Sequence, residues 1–157
     1  VLTGSEAERD LVEAVRRTAG VPVHSLAGEL SVPELAALIE RASILLSNNT
    51  APVHLAAGVG TPVVVLYALT NPQHTPWGVP SRVLIHDVPC RFCYRSVCPQ
   101  GHHRCLRGIE PVTVVDALHE LWRSTRGELR GTDRPVAGRV VPIDTPPVRL
   151  PVPATLG

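Results

Sequence analysis

The sequence predicts an α/β fold, a doubly wound, Rossmann-like parallel sheet with flanking helices. Two observations carry it. Short apolar runs rich in Val, Ile and Leu alternate along the chain with amphipathic stretches that begin on helix-capping patterns, the signature of repeated strand-helix units. One stretch, Ser43 to Tyr67, packs a whole unit into SILLSNNTAPVHLAAGVGTPVVVLY. It reads as a buried strand, a polar turn, a short helix stopped by glycine, and a second buried strand.

The elements follow in order. Val1-Leu2-Thr3-Gly4 resembles the end of a strand entering a turn, and the chain is expected to be a piece of a longer protein. Ser5-Glu6-Ala7-Glu8 is a capping box, and Leu11, Val12, Val15 and Ala19 recur at helical spacing before Gly20 closes the helix. A short strand is expected from Pro22 to Leu26. Ser31-Val32-Pro33-Glu34 is a second capping box, with Leu30 and Leu35 at the two positions of a hydrophobic staple. Leu35, Leu38, Ile39 and Ala42 form the apolar stripe of that helix. The strand Ile44–Leu46 leads into the turn Ser47-Asn48-Asn49-Thr50. The helix from Thr50 to Ala57 stops near Gly58 and Gly60, and Val63–Tyr67 is the next strand. A Pro-rich loop from Asn71 to Pro80 precedes a strand at Val83–Ile85. A cysteine-bearing loop covers Cys90 to Cys105. A last helix starts at Pro111, a favoured first helical position, with Val115, Leu118 and Trp122 on its apolar face. From Gly127 onward the periodicity stops, and Pro135, Pro142, Pro146, Pro147, Pro151 and Pro153 punctuate a tail. The expected organisation is one domain over residues 1–125 and a Pro-rich tail over 126–157, disordered or draped on the surface.

A chain of 157 residues can bury a substantial core. Its formal net charge of +1 gives no broad basic field, which argues against a nucleic-acid partner. All 15 basic residues are Arg, whose planar fork suits isolated phosphate contacts. No apolar run reaches the ~20 residues of a membrane span, and no signal-peptide pattern opens the chain.

The four cysteines, Cys90, Cys93, Cys98 and Cys105, sit in one segment with spacing C-x2-C-x4-C-x6-C. Four thiolates could close a tetrahedral structural zinc site, with His102 and His103 as alternative ligands. Packed reduced thiols and disulfides are the competing readings.

The turn after the Ile44–Leu46 strand carries the richest chemistry. In open α/β sheets ligands bind at the carboxyl ends of strands. A helix that starts there aims free N–H groups and a positive dipole end at an anion. Asn49, Thr50, Ala51 and His54 therefore form a candidate phosphate-binding corner. Thr50 and the N–H groups of Thr50 and Ala51 would hold the anion, since Pro52 has no N–H. His54 falls four residues beyond Thr50, on the same helical face. The competing readings are that Asn49 or Thr50 caps the helix and that His54 is a packed histidine.

These residues resemble glycosyltransferase family 9, the heptosyltransferases, over the C-terminal half of their sequence. The family pattern S-x-D-[ST]-G-x-x-H-[LV]-A-A followed by G-x-P-x-x-x-L-[FY]-G-P-T is similar to Ser47 through Ala57 and Gly60 through Thr70. The helix SVPELAALIERA from Ser31, and the loop from Cys90 to Ile109 with His103-Arg104-Cys105-Leu106, also resemble family features. The resemblance runs from about Thr3 to about Arg123. It implies the C-terminal half of a GT-B fold, binding a nucleoside-diphosphate sugar donor, with ADP as the expected nucleotide. It implies transfer of a heptose-like sugar to a lipopolysaccharide-core or related glycan, with inversion and without a catalytic metal. The acceptor site and catalytic base would lie in an N-terminal domain outside this chain, so no catalytic residue is expected within it and the chain alone is expected to be inactive. The implied location is cytoplasmic, peripheral at the inner face of the inner membrane.

The resemblance also suggests roles for Gly4, Ser5 and Glu8, with Glu8 near the position of an acidic residue on the nucleotide ribose. Leu30 matches an apolar residue lining the adenine pocket. The capping box and the staple are the alternatives for Glu8 and Leu30. Three departures surround the corner: Asn49 stands where the family has Asp, Ala51 where it has Gly, and Ala68-Leu69 where it has Gly-Pro. They point to a divergent member or to a site that has lost transfer. Two rivals follow, a nucleotide-binding remnant without transfer and a zinc-stabilised interaction module.

Overall fold

A computed structural model describes residues 1–68, 70, 74–95 and 97–126, together with the backbone of 139–143. The chain divides into two compact units, Val1–Leu38 and Ile39–Gly157.

In the first unit Leu2 forms an isolated parallel bridge with Ser25. The Leu2 N–H donates to the His24 carbonyl at 2.8 Å, Leu26 N–H to Leu2 at 2.9 Å and Gly28 N–H to Gly4 at 2.9 Å. The strand expected from Pro22 to Leu26 is reduced to this short ladder. Pro22 has no N–H to give to such a ladder. A 3₁₀ turn, Glu6–Glu8, leads into α1, Arg9–Thr18. Both capping boxes form as expected. Glu8 Oε2 accepts from Ser5 N–H at 2.8 Å and from Ser5 Oγ at 2.7 Å. Glu34 Oε2 does the same for Ser31 at 2.8 and 2.5 Å, starting α2, Val32–Arg41. The expected apolar stripe of α1 is only partly buried. Val12 is covered, whereas Leu11 is 65% and Val15 48% exposed.

In the second unit the strands β1 (Leu45–Asn48), β2 (Val63–Tyr67), β3 (Ser81–His86) and β4 (Arg139–Ile143) form one parallel sheet in the order β1-β2-β3-β4. The helices α3 (Ala51–Val59), α4 (Arg104–Arg107) and α5 (Pro111–Thr125) lie between the strands in sequence. β2 keeps the expected bounds. β1 is shifted toward the turn, because Ser47 and Asn48 pair with Val65 and Leu66. α3 runs through Gly58 and ends at Gly60, whose φ of +83° provides the left-handed cap that glycine adopts without strain. Residues 139–143 of the tail pair with β3 as an edge strand, contrary to the expectation of a patternless tail. The run Arg139-Val140-Val141-Pro142-Ile143 is rich in β-branched residues, and an edge strand tolerates Pro142. Residues 127–138 and 144–157 of the expected tail, like Asn71–Gln73 of the Pro-rich loop, lie outside the described residues.

The core is built on β2, β3 and α5. Val64, Leu84, Ile109, Ala117 and Leu121 pack together, with Ile44, Leu66, Val114 and Leu118 around them. α5 thus buries a face centred on Ala117 and Leu121, and Val115, expected inside, is 47% exposed. One charge is buried with this core. Arg82 is 1% exposed and donates from Nη2 to Glu120 Oε1 at 2.7 Å and from Nη1 to the Ser81 carbonyl at 3.0 Å, tying β3 to α5. Among the described residues no helix is long and apolar enough to cross a membrane.

Candidate functional site

The parallel strands bring the carboxyl ends of β1, β2 and β3 to one edge of the second unit's sheet. Asn49 and Thr50 leave β1 there and start α3. Asn49 is half-buried and tied on two sides. Its N–H donates to the Leu66 carbonyl at 3.3 Å, and its Nδ2 donates to Thr70 Oγ1 at 2.8 Å. Thr70 Oγ1 in turn donates to the hydroxyl of fully buried Tyr67 at 3.1 Å. With Nδ2 engaged, the amide offers Oδ1 as its remaining acceptor. A carboxylate in its place would offer two acceptor oxygens and a charge, whereas the amide offers one oxygen and keeps a second Nδ2–H donor.

Thr50 is the N-cap residue of α3, with extended φ of −138°. Its side chain makes no capping bond, so the simple capping alternative does not hold for Thr50. Its N–H is also engaged, donating to the Asn48 carbonyl at 2.8 Å. The expectation that Thr50 and Ala51 both offer N–H groups is corrected accordingly. Pro52 has none, and Val53 N–H donates to the Thr50 carbonyl at 3.1 Å. Ala51 N–H is the first-turn donor left at the positive end of the helix. Thr50, Ala51 and His54 are all exposed, and their spacing sets them on one face of the first turns of α3. The corner therefore joins a backbone donor, a hydroxyl, an imidazole and an oriented amide oxygen.

The residues of the first unit form their own cluster. Gly4 leaves room for its neighbours, since a Cβ there would lie 3.1 Å from Val12 Cγ2 and 3.3 Å from Glu8 Cβ. The bonds from the Ser5 side chain and then its backbone hold the Glu8 carboxyl below its ordinary pKa, so it stays ionised at neutral pH. The capping box thus forms, and it is compatible with an ionised Glu8 accepting from hydroxyls. Leu30 and Leu35 are both half-buried beside the second cap.

The cysteine loop leaves β3 at the same sheet edge. All four cysteines are free thiols and half-buried. Among the described residues no three His, Cys, Asp or Glu side chains are arranged to hold a metal ion, so the expected four-cysteine ligand set is not assembled. Cys90 Sγ instead faces His102 Nε2 at 3.6 Å. Arg104 N–H donates to His102 Nδ1 at 3.0 Å, which places the proton of the neutral ring on Nε2, toward the sulfur. The four thiols respond differently to their surroundings. Backbone N–H groups, that of His103 first, lower the Cys98 pKa, whereas burial, then the neighbouring thiols, raise that of Cys105. Phe92, Tyr94 and His103 adopt left-handed φ of 58°, 54° and 50°, unusual for residues with a Cβ. Sequence reasoning gave no role to His86 or Gly108. The His86 ring lies where a Cβ on Gly108 would sit, 2.4 Å from it, and its buried Nδ1 has no partner among the described atoms. A glycine in contact with a histidine 22 positions earlier leaves no local sequence signal.

A separate open groove of about 440 Å³ is lined by Ser43, Ile44, Leu118, His119 and Trp122. It lies at the opposite, amino end of β1 and brings together none of the corner residues.

Comparison with known proteins bears on these features. The model of Glycosyltransferase family 9 (heptosyltransferase) matches residues 1–103. The lipooligosaccharide heptosyltransferase 2 of Campylobacter jejuni serotype O:2 is 23% identical over 130 residues, covering 80% of this chain and 41% of the relative. The lipopolysaccharide heptosyltransferase 2 of Salmonella typhimurium is 29% identical over 126 residues, 77% of this chain and 36% of the relative. A crystal structure of a glycosyl transferase family 9 protein from Veillonella parvula superposes with a TM-score of 0.67 at 23% identity, over 76% of this chain and 35% of that one. The chain thus spans about two fifths or less of the length of these relatives.

Proposed function

We propose that this chain, which belongs to glycosyltransferase family 9, is the donor-binding part of an enzyme that transfers a heptose-like sugar from a nucleoside diphosphate, ADP, to a lipopolysaccharide-core or related glycan. The observation that carries the reading is the corner at the carboxyl end of β1. There the Ala51 N–H and the positive end of α3 stand beside Thr50, His54 and the fixed amide of Asn49. The names of the similar proteins, lipopolysaccharide and lipooligosaccharide heptosyltransferases, support the choice of sugar and acceptor.

In this reading the acceptor hydroxyl attacks the anomeric carbon as the bond to the donor diphosphate breaks, with inversion. Charge grows on the departing diphosphate, and the α3 amino end with Ala51 N–H stabilises it electrostatically. His54 on the same face donates a hydrogen bond to a phosphate oxygen. Asn49 Oδ1 accepts from a donor sugar hydroxyl. Glu8 accepts from the ribose hydroxyls, and Leu30 lines the adenine pocket. The acceptor site and the base that takes its proton belong to an N-terminal domain, and the assembled enzyme works at the cytoplasmic face of the inner membrane.

The test is a thermal-shift panel with ADP, UDP, GDP, CDP and dTDP. Ligand at 100 times its dissociation constant stabilises by about 2.7 kcal/mol. A selective response to ADP supports the reading. A response to another nucleotide keeps the diphosphate corner and changes the donor class, and no response to any rejects the corner. Stoichiometric zinc without nucleotide affinity would favour the rival reading of an interaction module.

A further inference from the structure

We propose that the loop from Cys90 to Arg107 is a docking surface for an anionic lipid bilayer. The proposal rests on the reading above to the extent that the acceptor is lipid-linked.

Charge is the first observation. This segment holds Arg91, Arg95, Arg104 and Arg107, four of the chain's 15 basic residues and none of its 14 acidic ones, in a protein whose net charge is only +1. All four are exposed. Arg91 is engaged with Asp87 and lies 5.4 Å from the Phe92 ring. Arg95, Arg104 and Arg107 make no salt bridge among the described residues. Unpaired arginines on one loop complement an anionic surface.

The second observation is the distribution of apolar groups. Phe92, Cys93 and Cys98 are half-buried, while Tyr94 is 58% and Val97 79% exposed on either side of exposed Arg95. An aromatic, an arginine and an aliphatic presented outward fit the boundary between headgroups and acyl chains, where Tyr rings settle and Arg stems reach back to the phosphates. Phe92 and Tyr94 both adopt left-handed backbone conformations.

Location is the third. The loop leaves the carboxyl end of β3, the edge that also carries the Asn49-Thr50 corner. A bilayer met by this loop would lie on the side of the sheet where the donor is expected, which suits a lipid-linked acceptor.

Vesicle co-sedimentation of the full chain tests the proposal, comparing phosphatidylglycerol-containing vesicles with pure phosphatidylcholine vesicles. The expected result is at least tenfold stronger partition onto the anionic vesicles, weakening as salt rises. Arg95→Gln and Arg107→Gln should each weaken it about fivefold. Tyr94→Ser combined with Val97→Ser should weaken it further at salt concentrations where the charge term is screened. If that double variant melts early, Arg95→Glu carries the test, since Arg95 is exposed. Equal partition onto both vesicle types, no partition, or variants that bind like the parent would overturn the proposal. So would displacement by millimolar glucose 1-phosphate, which would assign the loop to a soluble phosphosugar. ADP affinity measured on the same variants separates the two proposals, because it should stay at the parent value. Loss of ADP binding in the parent, with vesicle binding retained, would reject the donor corner alone.

Discussion

The β1–α3 corner and the cysteine loop stand at the same edge of one sheet, yet they are built differently. The corner is regular: Asn48 ends a paired strand, Thr50 is extended, Ala51 opens a helix, and glycine supplies the one left-handed residue at Gly60. Its polar groups are set by backbone geometry and by one side-chain chain, Asn49 to Thr70 to Tyr67. The loop has little regular structure beyond the single turn of α4, and it places three residues with side chains in left-handed conformations. Within it Cys90 faces His102, and at its end Gly108 packs against the His86 ring. Geometry that follows from strand and helix ends suits a site that must meet a ligand at fixed positions. An irregular loop with outward Arg, Tyr and Val suits a surface that must adapt to its partner.

The largest expected effect falls on what the two regions share. Leu121 is fully buried in the core formed with Val64 of β2 and Ile109 at the loop's exit. Leu121→Ala should cost about 3 kcal/mol, read as a lower denaturant midpoint in which corner and loop unfold together. Separate transitions would show that the loop is not anchored to that core.

Thr70→Val sharpens the corner's side of the comparison. It removes the acceptor of Asn49 Nδ2 and the donor to Tyr67, and should cost about 1 kcal/mol of stability. It should also weaken donor-sugar binding more than ADP binding, because Asn49 Oδ1 is no longer oriented. Equal losses for sugar nucleotide and ADP would remove the role given to Asn49.

The loop's side is sharpened by thiol reactivity. The backbone N–H groups around Cys98 favour its thiolate, whereas burial holds Cys105 protonated. Iodoacetamide labelling at neutral pH, followed by mass spectrometry, should modify Cys98 first and Cys105 last. The reverse order would contradict this arrangement.

The smallest effect is on acid stability. Glu8 and Glu34 are both held below 4.5, their ordinary value, chiefly by the bonds from Ser5 and Ser31 side chains. A carboxyl depressed in the folded state contributes stability above its unfolded pKa and loses it as pH falls through the folded one. Stability should therefore decline below about pH 4.5, and Glu8→Gln with Glu34→Gln should flatten that decline. An unchanged acid slope in the double variant would assign it to other carboxyls.

Much of the fold was legible because local signals agreed with the tertiary structure. The two capping boxes, β2 and the Pro111 helix start follow from short-range pattern. What escaped depends on distant partners. The inward face of α5 was ambiguous, since Val112, Val114, Val115, Leu118 and Trp122 are all apolar and only the position of the sheet selects Ala117 and Leu121. β1 was misplaced by its polar end, since Ser47 and Asn48 pair only because Val65 and Leu66 lie beside them. At the candidate site the residues of the corner were visible from their order along the chain. The engagement of Thr50 N–H, the Asn49–Thr70 bond across 21 residues and the Arg82–Glu120 pair across 38 were not.

The most direct test of the central claim is the affinity of ADP for Ala51→Pro measured by calorimetry beside the parent chain. Proline suits the first helical position, and the extended Thr50 before it already has the conformation that a following proline requires. The substitution therefore deletes one N–H with little change to the fold. The account predicts at least a tenfold loss of affinity, about 1.4 kcal/mol, at an unchanged melting temperature. Parent-like ADP affinity in the folded variant would contradict a diphosphate held at the amino end of α3.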